Sequence, residues 1–274
     1  MIKNADQTVN LILQKAYGVT PDVLEKSAWG FNSTAYYFRQ GDDQFVAKVT
    51  LSDPEKLAKC QKDVQLSMAL ANIVPTSTFI PNKNGDFITQ DGGFIVRVAR
   101  FVAGAPPFDM NSRVYKSMLD QLRKFHLVPL ADLLPVIKPL KLPVLEGSKT
   151  FLHGDLTPSN VIVAGDKIQA VLDFEDSLIG PVEYDLARCA VFSWFRWQQA
   201  DFEQVFHETL TGYGNRIDQT KLADYCQRHV QEYLEHIVEY KAKYDNLTNW
   251  TDDYNFARQS AAAIKSFTSQ FSRV

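Results

Sequence analysis

Between positions 151 and 187 the chain reads FLHGDLTPSNVIVAGDKIQAVLDFEDSLIGPVEYDLA. Asp155 brings a carboxylate, Asn160 an amide oxygen five residues later, and Asp173 a second carboxylate after a short apolar stretch. Phosphoryl transfer asks for groups of this kind. It needs little covalent help, but it needs oxygen ligands for a cation that bridges the phosphates and a carboxylate to orient the attacking hydroxyl. Mg²⁺ is a hard ion that takes one or two protein oxygens and completes its shell with phosphate and water. Asn and Asp therefore suit it where His or Cys would not.

These groups are separated by two apolar runs, Val161–Val163 and Ile168–Leu172, joined by a turn at Ala164-Gly165-Asp166-Lys167. A hairpin of this size brings the residues before its first strand close to those after its second. Upstream, residues 4–17 read as a short amphipathic helix. Thr34–Gln40, a Gly41-Asp42-Asp43 turn and Gln44–Thr50 read as a β-hairpin, with Phe45, Ala47 and Val49 on one face and Val46, Lys48 and Thr50 on the other. Ser52-Asp53-Pro54-Glu55 starts a helix that runs to about Asn72. Asn84-Gly85 and Asp91-Gly92-Gly93 bracket a further hairpin leading into Phe94–Phe101. Gly104-Ala105-Pro106-Pro107 is the candidate hinge, dividing residues 1–103 from 104–274. Beyond it a helix is capped by Asn111 or Ser112, and a Pro/Leu/Lys-rich connector spans roughly 129–149. From Pro181 onward the pattern is mostly helical. The fold class is α+β, strand-rich first and helix-rich second.

HGDLTPSNV and VLDFEDSLIGPVEYDLA resemble the catalytic loop and metal-binding segment of the aminoglycoside phosphotransferase/choline kinase superfamily, small-molecule relatives of the protein kinases. The pattern HxDxxxxN matches at His153, Asp155 and Asn160, with Gly154 where protein kinases carry Arg. Asp173 stands in a DFE where protein kinases have DFG, and Asp185 lies in a DLA context. The resemblance implies a bilobal protein-kinase-like fold, with a β-rich nucleotide-binding lobe over residues 1–103 and a mainly helical catalytic and acceptor-binding lobe over 104–274. It implies ATP, or GTP, as donor with Mg²⁺ as cofactor. Asp155 would accept the hydroxyl proton, Asn160 and Asp173 would hold the metal, and His153 and Asp185 would support the loop.

In the first lobe the resemblance implies a strand lysine contacting the α- and β-phosphates. Lys48 in FVAKV is that lysine, and Val46 would line the adenine site. The covering loop Trp29–Thr34 holds one glycine instead of three, and Ser33 would reach phosphate there. The helix after Lys48 should pair a carboxylate with it. The family has glutamate, whereas helix 54–72 offers Glu55 and Asp63. Asp63 is the choice, since Glu55 lies in the first turn and complements the helix dipole. The strand Val96–Gly104 corresponds to the segment that binds the nucleobase through its backbone.

The chain has 274 residues, 45% hydrophobic and 22% charged, which is globular composition. A net charge of -3 argues against nucleic acid as a partner. Three widely spaced cysteines, Cys60, Cys189 and Cys226, form no CxxC pair and fit a reducing, cytoplasmic setting without disulfides. No apolar run approaches the ~20 residues that span a bilayer, and the N-terminus lacks a signal-peptide core. The resemblance implies a small hydroxylated acceptor as partner. Residues 175–274 hold 15 acidic and 10 basic residues, which suits a cationic amine or aminosugar and equally a solvated surface. Phe192, Trp194, Phe195 and Trp197 could supply a cation–π wall or simply core. Walker A, GxSxG and HExxH motifs are absent. A second reading is a nucleotide-sensing pseudokinase, motivated by the sparse covering loop and the missing helix glutamate.

Overall fold

The computed structural model describes residues 5–27, 33–214, 217–243 and 250–271. Most of the expected covering loop, residues 28–32, lies outside them. The chain divides into two compact units. The first comprises 1–104 with two later segments, 133–141 and 169–176; the second comprises 105–132, 142–168 and 177–274. The segment carrying Asp173 thus folds with the N-terminal unit, although it follows residues 153–160 of the second unit in sequence.

The first unit is a twisted antiparallel sheet. Its strands are β1 (Val23–Lys26), β2 (Thr34–Gln40), β3 (Asp43–Leu51), β4 (Phe79–Ile80), β5 (Thr89–Asp91) and β6 (Phe94–Arg100). The order is β1-β2-β3-β6-β4, with β5 also on β6. Alternation in β3 buries Phe45, Ala47 and Val49 against Tyr36 and Phe38 of β2 and Val96 and Val98 of β6. Helix α1 (Ala5–Ile12) continues as a π turn to Tyr17 and seals this face with Val9, Ile12 and Leu13. Gly92 and Gly93, both at positive φ, make the tight turn from β5 to β6. Helix α2 (Pro54–Leu70) begins as the sequence indicates, with Asp53 accepting from the Lys56 N–H at 2.9 Å and proline in the first turn.

Nearly every residue of β6 is buried, including Arg97 at 1% exposure. A strand covered on both faces reads as a continuous apolar run, and a charge within it must find partners.

The second unit is mainly helical. It contains α3 (Ser112–His126), α5 (Val182–Trp194), α6 (Phe202–Tyr213), α7 (Gln219–Lys243) and α8 (Trp250–Thr268), while α4 (Leu130–Leu140) has only its first three residues here. Asn111 is the cap of α3, accepting from the Arg113 and Val114 N–H groups. The expected connector holds a helix instead of irregular chain over 130–140. Leu133 and Ile137 of α4 are both buried at i,i+4 spacing despite Pro135 and Pro139, so burial of one face outweighs two poor helix formers. Residues 133–140 of α4 belong to the first unit. Strands β7 (Thr150–Leu152) and β10 (Leu178–Gly180) pair antiparallel. Between them lie β8 (Val161–Ala164) and β9 (Lys167–Val171), the expected hairpin. Among the described residues no helix is long and apolar enough to cross a membrane.

Candidate active site

The second unit holds a loop built around a buried carboxylate. Strand β7 delivers the chain to His153, and Gly154 adopts φ 84, a conformation glycine reaches without the cost a Cβ would impose. That turn aims two successive N–H groups at one side chain. Asp185, on the first turn of α5, accepts from the His153 N–H and the Gly154 N–H, each at 2.7 Å. His126, the last residue of α3, completes the set at 3.2 Å from Nε2. A carboxylate only accepts, so Nε2 carries the proton and Nδ1 faces the Tyr213 hydroxyl at 2.8 Å. Burial alone would raise the Asp185 carboxyl; the His126 bond and charge, with the backbone donors, outweigh it and hold it below the ordinary aspartate range.

The loop then presents Asp155. Its N–H donates to His153 Nδ1 at 3.2 Å, which leaves the proton of a neutral imidazole on Nε2. The two carboxylate oxygens are held separately. Asn160 Nδ2 donates to Oδ2 at 2.7 Å and to the Asp155 carbonyl at 2.9 Å. Arg188 Nε donates to Oδ1 at 2.6 Å. Because the amide nitrogen of Asn160 is engaged by Asp155, its carbonyl oxygen faces the other way, as a metal ligand requires.

Arg188 and His126 are the residues that sequence reasoning missed here. Arg188 had a signal: it follows Asp185 by three positions on a helix, and such residues share a face. His126 had none, since it ends a helix remote in sequence. The guanidinium of Arg188 also lies 4.9 Å from the Phe192 ring centroid. One aromatic face considered for a cationic ligand is thus covered by the protein's own cation. Trp197 is buried and tilts against Tyr115 at 5.8 Å, and Phe192 and Phe195 pack on each other and on Tyr233. Of the four rings Trp197 is core, and Phe192, Trp194 and Phe195 are half-buried.

The first unit holds a second cluster of charges. Lys48 and Arg97 are direct partners across the β3–β6 ladder and project from the same face. Lys48 Nζ lies 3.0 Å from Asp173 Oδ2. Arg97 donates to Asp63 at 2.7 Å and to Glu175 at 2.7 Å. Asp63 also accepts from the Phe174 N–H at 2.9 Å and, at 3.5 Å, from the Ser67 hydroxyl. The expected pairing of Asp63 with Lys48 is therefore corrected: the lysine meets Asp173, and Asp63 meets Arg97. Aspartate is one methylene shorter than the glutamate of the family pattern, and the longer, forked arginine beside Lys48 reaches it first. Burial would lower the Lys48 pKa, but Asp173 and Asp63, opposed by Arg97, hold it above its ordinary value. Burial and Asp173 together push Glu175 up against the pull of Arg97.

Asp173 sits at φ 67, a left-handed conformation that costs a non-glycine residue about 1–2 kcal/mol. One oxygen each from Asp63, Asp173 and Glu175 lies within 4.8 Å of the others. All are hard oxygen donors, so the chemistry fits a divalent ion such as Mg²⁺. Val46 and Ser33 are both half-buried in this unit. Val46 is paired with Tyr37 and Ala99, and Ser33 immediately precedes β2.

Residues 130–225 match the model of the phosphotransferase enzyme family APH, a span that contains Asp155, Asn160, Asp173 and Asp185. No curated protein matches the chain in sequence. Among solved structures, the microcompartment-associated aminopropanol kinase superposes with a TM-score of 0.73 at 16% identity, covering 98% of this chain and 99% of that one. The spectinomycin phosphotransferase APH(9)-Ia, in complex with ADP and spectinomycin, gives 0.69 at 14% identity, covering 96% and 98%. The macrolide 2'-phosphotransferase MphH from Brachybacterium faecium gives 0.62 at 16%, covering 94% and 98%. The fold is that of the small-molecule phosphotransferases, as the resemblance in HGDLTPSNV and LDFED implies.

Proposed function

We propose that this chain transfers the γ-phosphoryl group of ATP to a hydroxyl of a small molecule. The phosphotransferase enzyme class rests on the family match over 130–225. The observation that carries the finer reading is the loop His153–Asn160, docked on Asp185 by two 2.7 Å backbone bonds, with Asp155 held on both oxygens.

A bound Mg²⁺ would neutralise charge on the phosphates and draw them together. Asn160 and Asp173 would be its protein ligands. Lys48 would carry a point charge to the phosphates, exchanging its bond with Asp173 for bonds to phosphate oxygens. Asp155 would accept a hydrogen bond from the acceptor hydroxyl and take its proton as the new O–P bond forms and the bond from the γ-phosphorus to the β–γ bridging oxygen breaks, with ADP as the leaving group. His153 and Asp185 fix the loop and touch no reacting atom. GTP as an alternative donor, and Val46 and Ser33 as nucleotide contacts, belong to the same proposal. So does the assignment of the first unit to the nucleotide and of the second to catalysis and the acceptor.

The acidic balance of 175–274 supports an amine or aminosugar acceptor, and the Arg188 cation beside Asp155 weighs against one that places its ammonium next to the reacting hydroxyl. An ADP-release screen over amino alcohols, aminosugars, neutral sugars and hydroxy amino acids tests the reading. Asp155→Asn should lower turnover by at least about a thousandfold with nucleotide affinity nearly unchanged. Full activity in that variant would remove the proposed base, and nucleotide binding without transfer to any acceptor would favour a sensor.

A further inference from the structure

We propose that Arg97 is a positioning residue for the metal-binding aspartate, acting through Asp63 and Glu175; the inference rests on the kinase reading above. Asp173 holds a left-handed φ of 67, and the two residues after it are each tied down. The Phe174 N–H donates to Asp63 Oδ1 at 2.9 Å, and the Glu175 carboxylate accepts from Arg97 at 2.7 Å. Arg97 then closes the ring by donating to Asp63 Oδ2 at 2.7 Å. Strand β6 and helix α2 thus clamp the short segment 173–175 through one backbone and one side-chain bond. Without that clamp Asp173 would relax to an ordinary φ, and its carboxylate would swing with the backbone.

Only an arginine does this well from position 97. Its planar fork serves two carboxylates at once from a fully buried site, whereas lysine is a single point charge. The charges also suit the task. Three carboxylates face two cations, Lys48 and Arg97, leaving one net negative charge for a divalent ion. With Asp63 and Glu175 both engaged by Arg97, Asp173 is left as the carboxylate of the cluster oriented toward Lys48 and its ligands. In this chain the arginine takes over the helix carboxylate, so the strand lysine and the metal aspartate face each other directly.

The test is Mn²⁺ binding to the full-length protein in the presence of ADP, read from the free-ion electron paramagnetic resonance signal. Wild type, Glu175→Gln and Arg97→Lys are compared, with thermal midpoints and metal-free ADP affinity measured alongside. Arg97→Lys should weaken Mn²⁺ binding by about tenfold or more, and Glu175→Gln, which keeps an acceptor for the guanidinium, by less. Metal-free ADP affinity should stay within about twofold of wild type, which a general loss of packing would not spare. Undiminished Mn²⁺ affinity in either folded variant overturns the inference. Should Arg97→Lys fail to fold, Glu175→Gln decides alone. Wild type that binds neither ADP nor Mn²⁺ sinks the kinase reading, and the positioning role with it.

Discussion

Lys48 and Arg97 face each other across the β3–β6 ladder, yet their charges part: the lysine goes to Asp173 and the arginine to Asp63 and Glu175. Two neighbouring cations on one sheet face repel unless each has its own carboxylate. This division satisfies both and ties the segment after β9 to the sheet.

Asp63→Ala should be severely destabilising. It would strip one carboxylate from a guanidinium whose side chain is fully buried and leave the Phe174 N–H without its acceptor. Breaking a buried pair from one side costs about 3–5 kcal/mol. Urea denaturation should show a loss of that order, and Asp63→Asn, which keeps an acceptor for Phe174, should lose less.

Arg188→Gln should act on turnover more than on folding. Its side chain and that of Asp155 are both about a quarter exposed, so the stability change should be about 1 kcal/mol or less. Asp155 would lose the donor at 2.6 Å that fixes one oxygen. Steady-state kinetics should show kcat reduced by about tenfold to a hundredfold with the KM for ATP little changed; an unaltered kcat would deny Arg188 any part in orienting Asp155.

Acid should unfold the protein in part through Asp185. Its carboxyl titrates below the ordinary value of 3.8 in the folded chain. The unfolded state therefore binds the proton more readily, and the stability Asp185 contributes is complete above 3.8 and lost as pH falls through the lower folded value. Asp185→Asn should be less stable at neutral pH and show a shallower acid limb. Denaturation midpoints between pH 3 and 7 measure both, and parallel pH profiles would count against the assignment.

All three cysteines are free and buried. Burial raises each thiol, that of Cys189 to about 12, so the reactive thiolate is scarce. A chromogenic disulfide reagent should label essentially none in the native protein and all three in denaturant.

The candidate site was legible in the sequence because its residues lie close together along the chain. His153, Asp155, Asn160, Asp173 and Asp185 fall within one stretch, and the hairpin β8–β9, the α2 cap and the β2–β3 pairing follow from turn residues and alternation that act over a few positions. Arg97 left a trace, a charge inside FIVRVAR, although alternation says only that it is buried and not with whom. The α4 helix was hidden by its two prolines, which local propensity reads as a break. Tertiary burial of Leu133 and Ile137 overrides them.

By itself the sequence determined most of the elements, α4 excepted, and the inventory of reactive groups, since backbone preferences and motif spacing are local properties. Only the tertiary structure decided which charge meets which. Asp63 lies 34 residues from Arg97 and 111 from the Phe174 N–H that it holds. Ion-pair partners are chosen by side-chain reach and by the cost of leaving a buried charge unpaired, and both depend on which elements pack together.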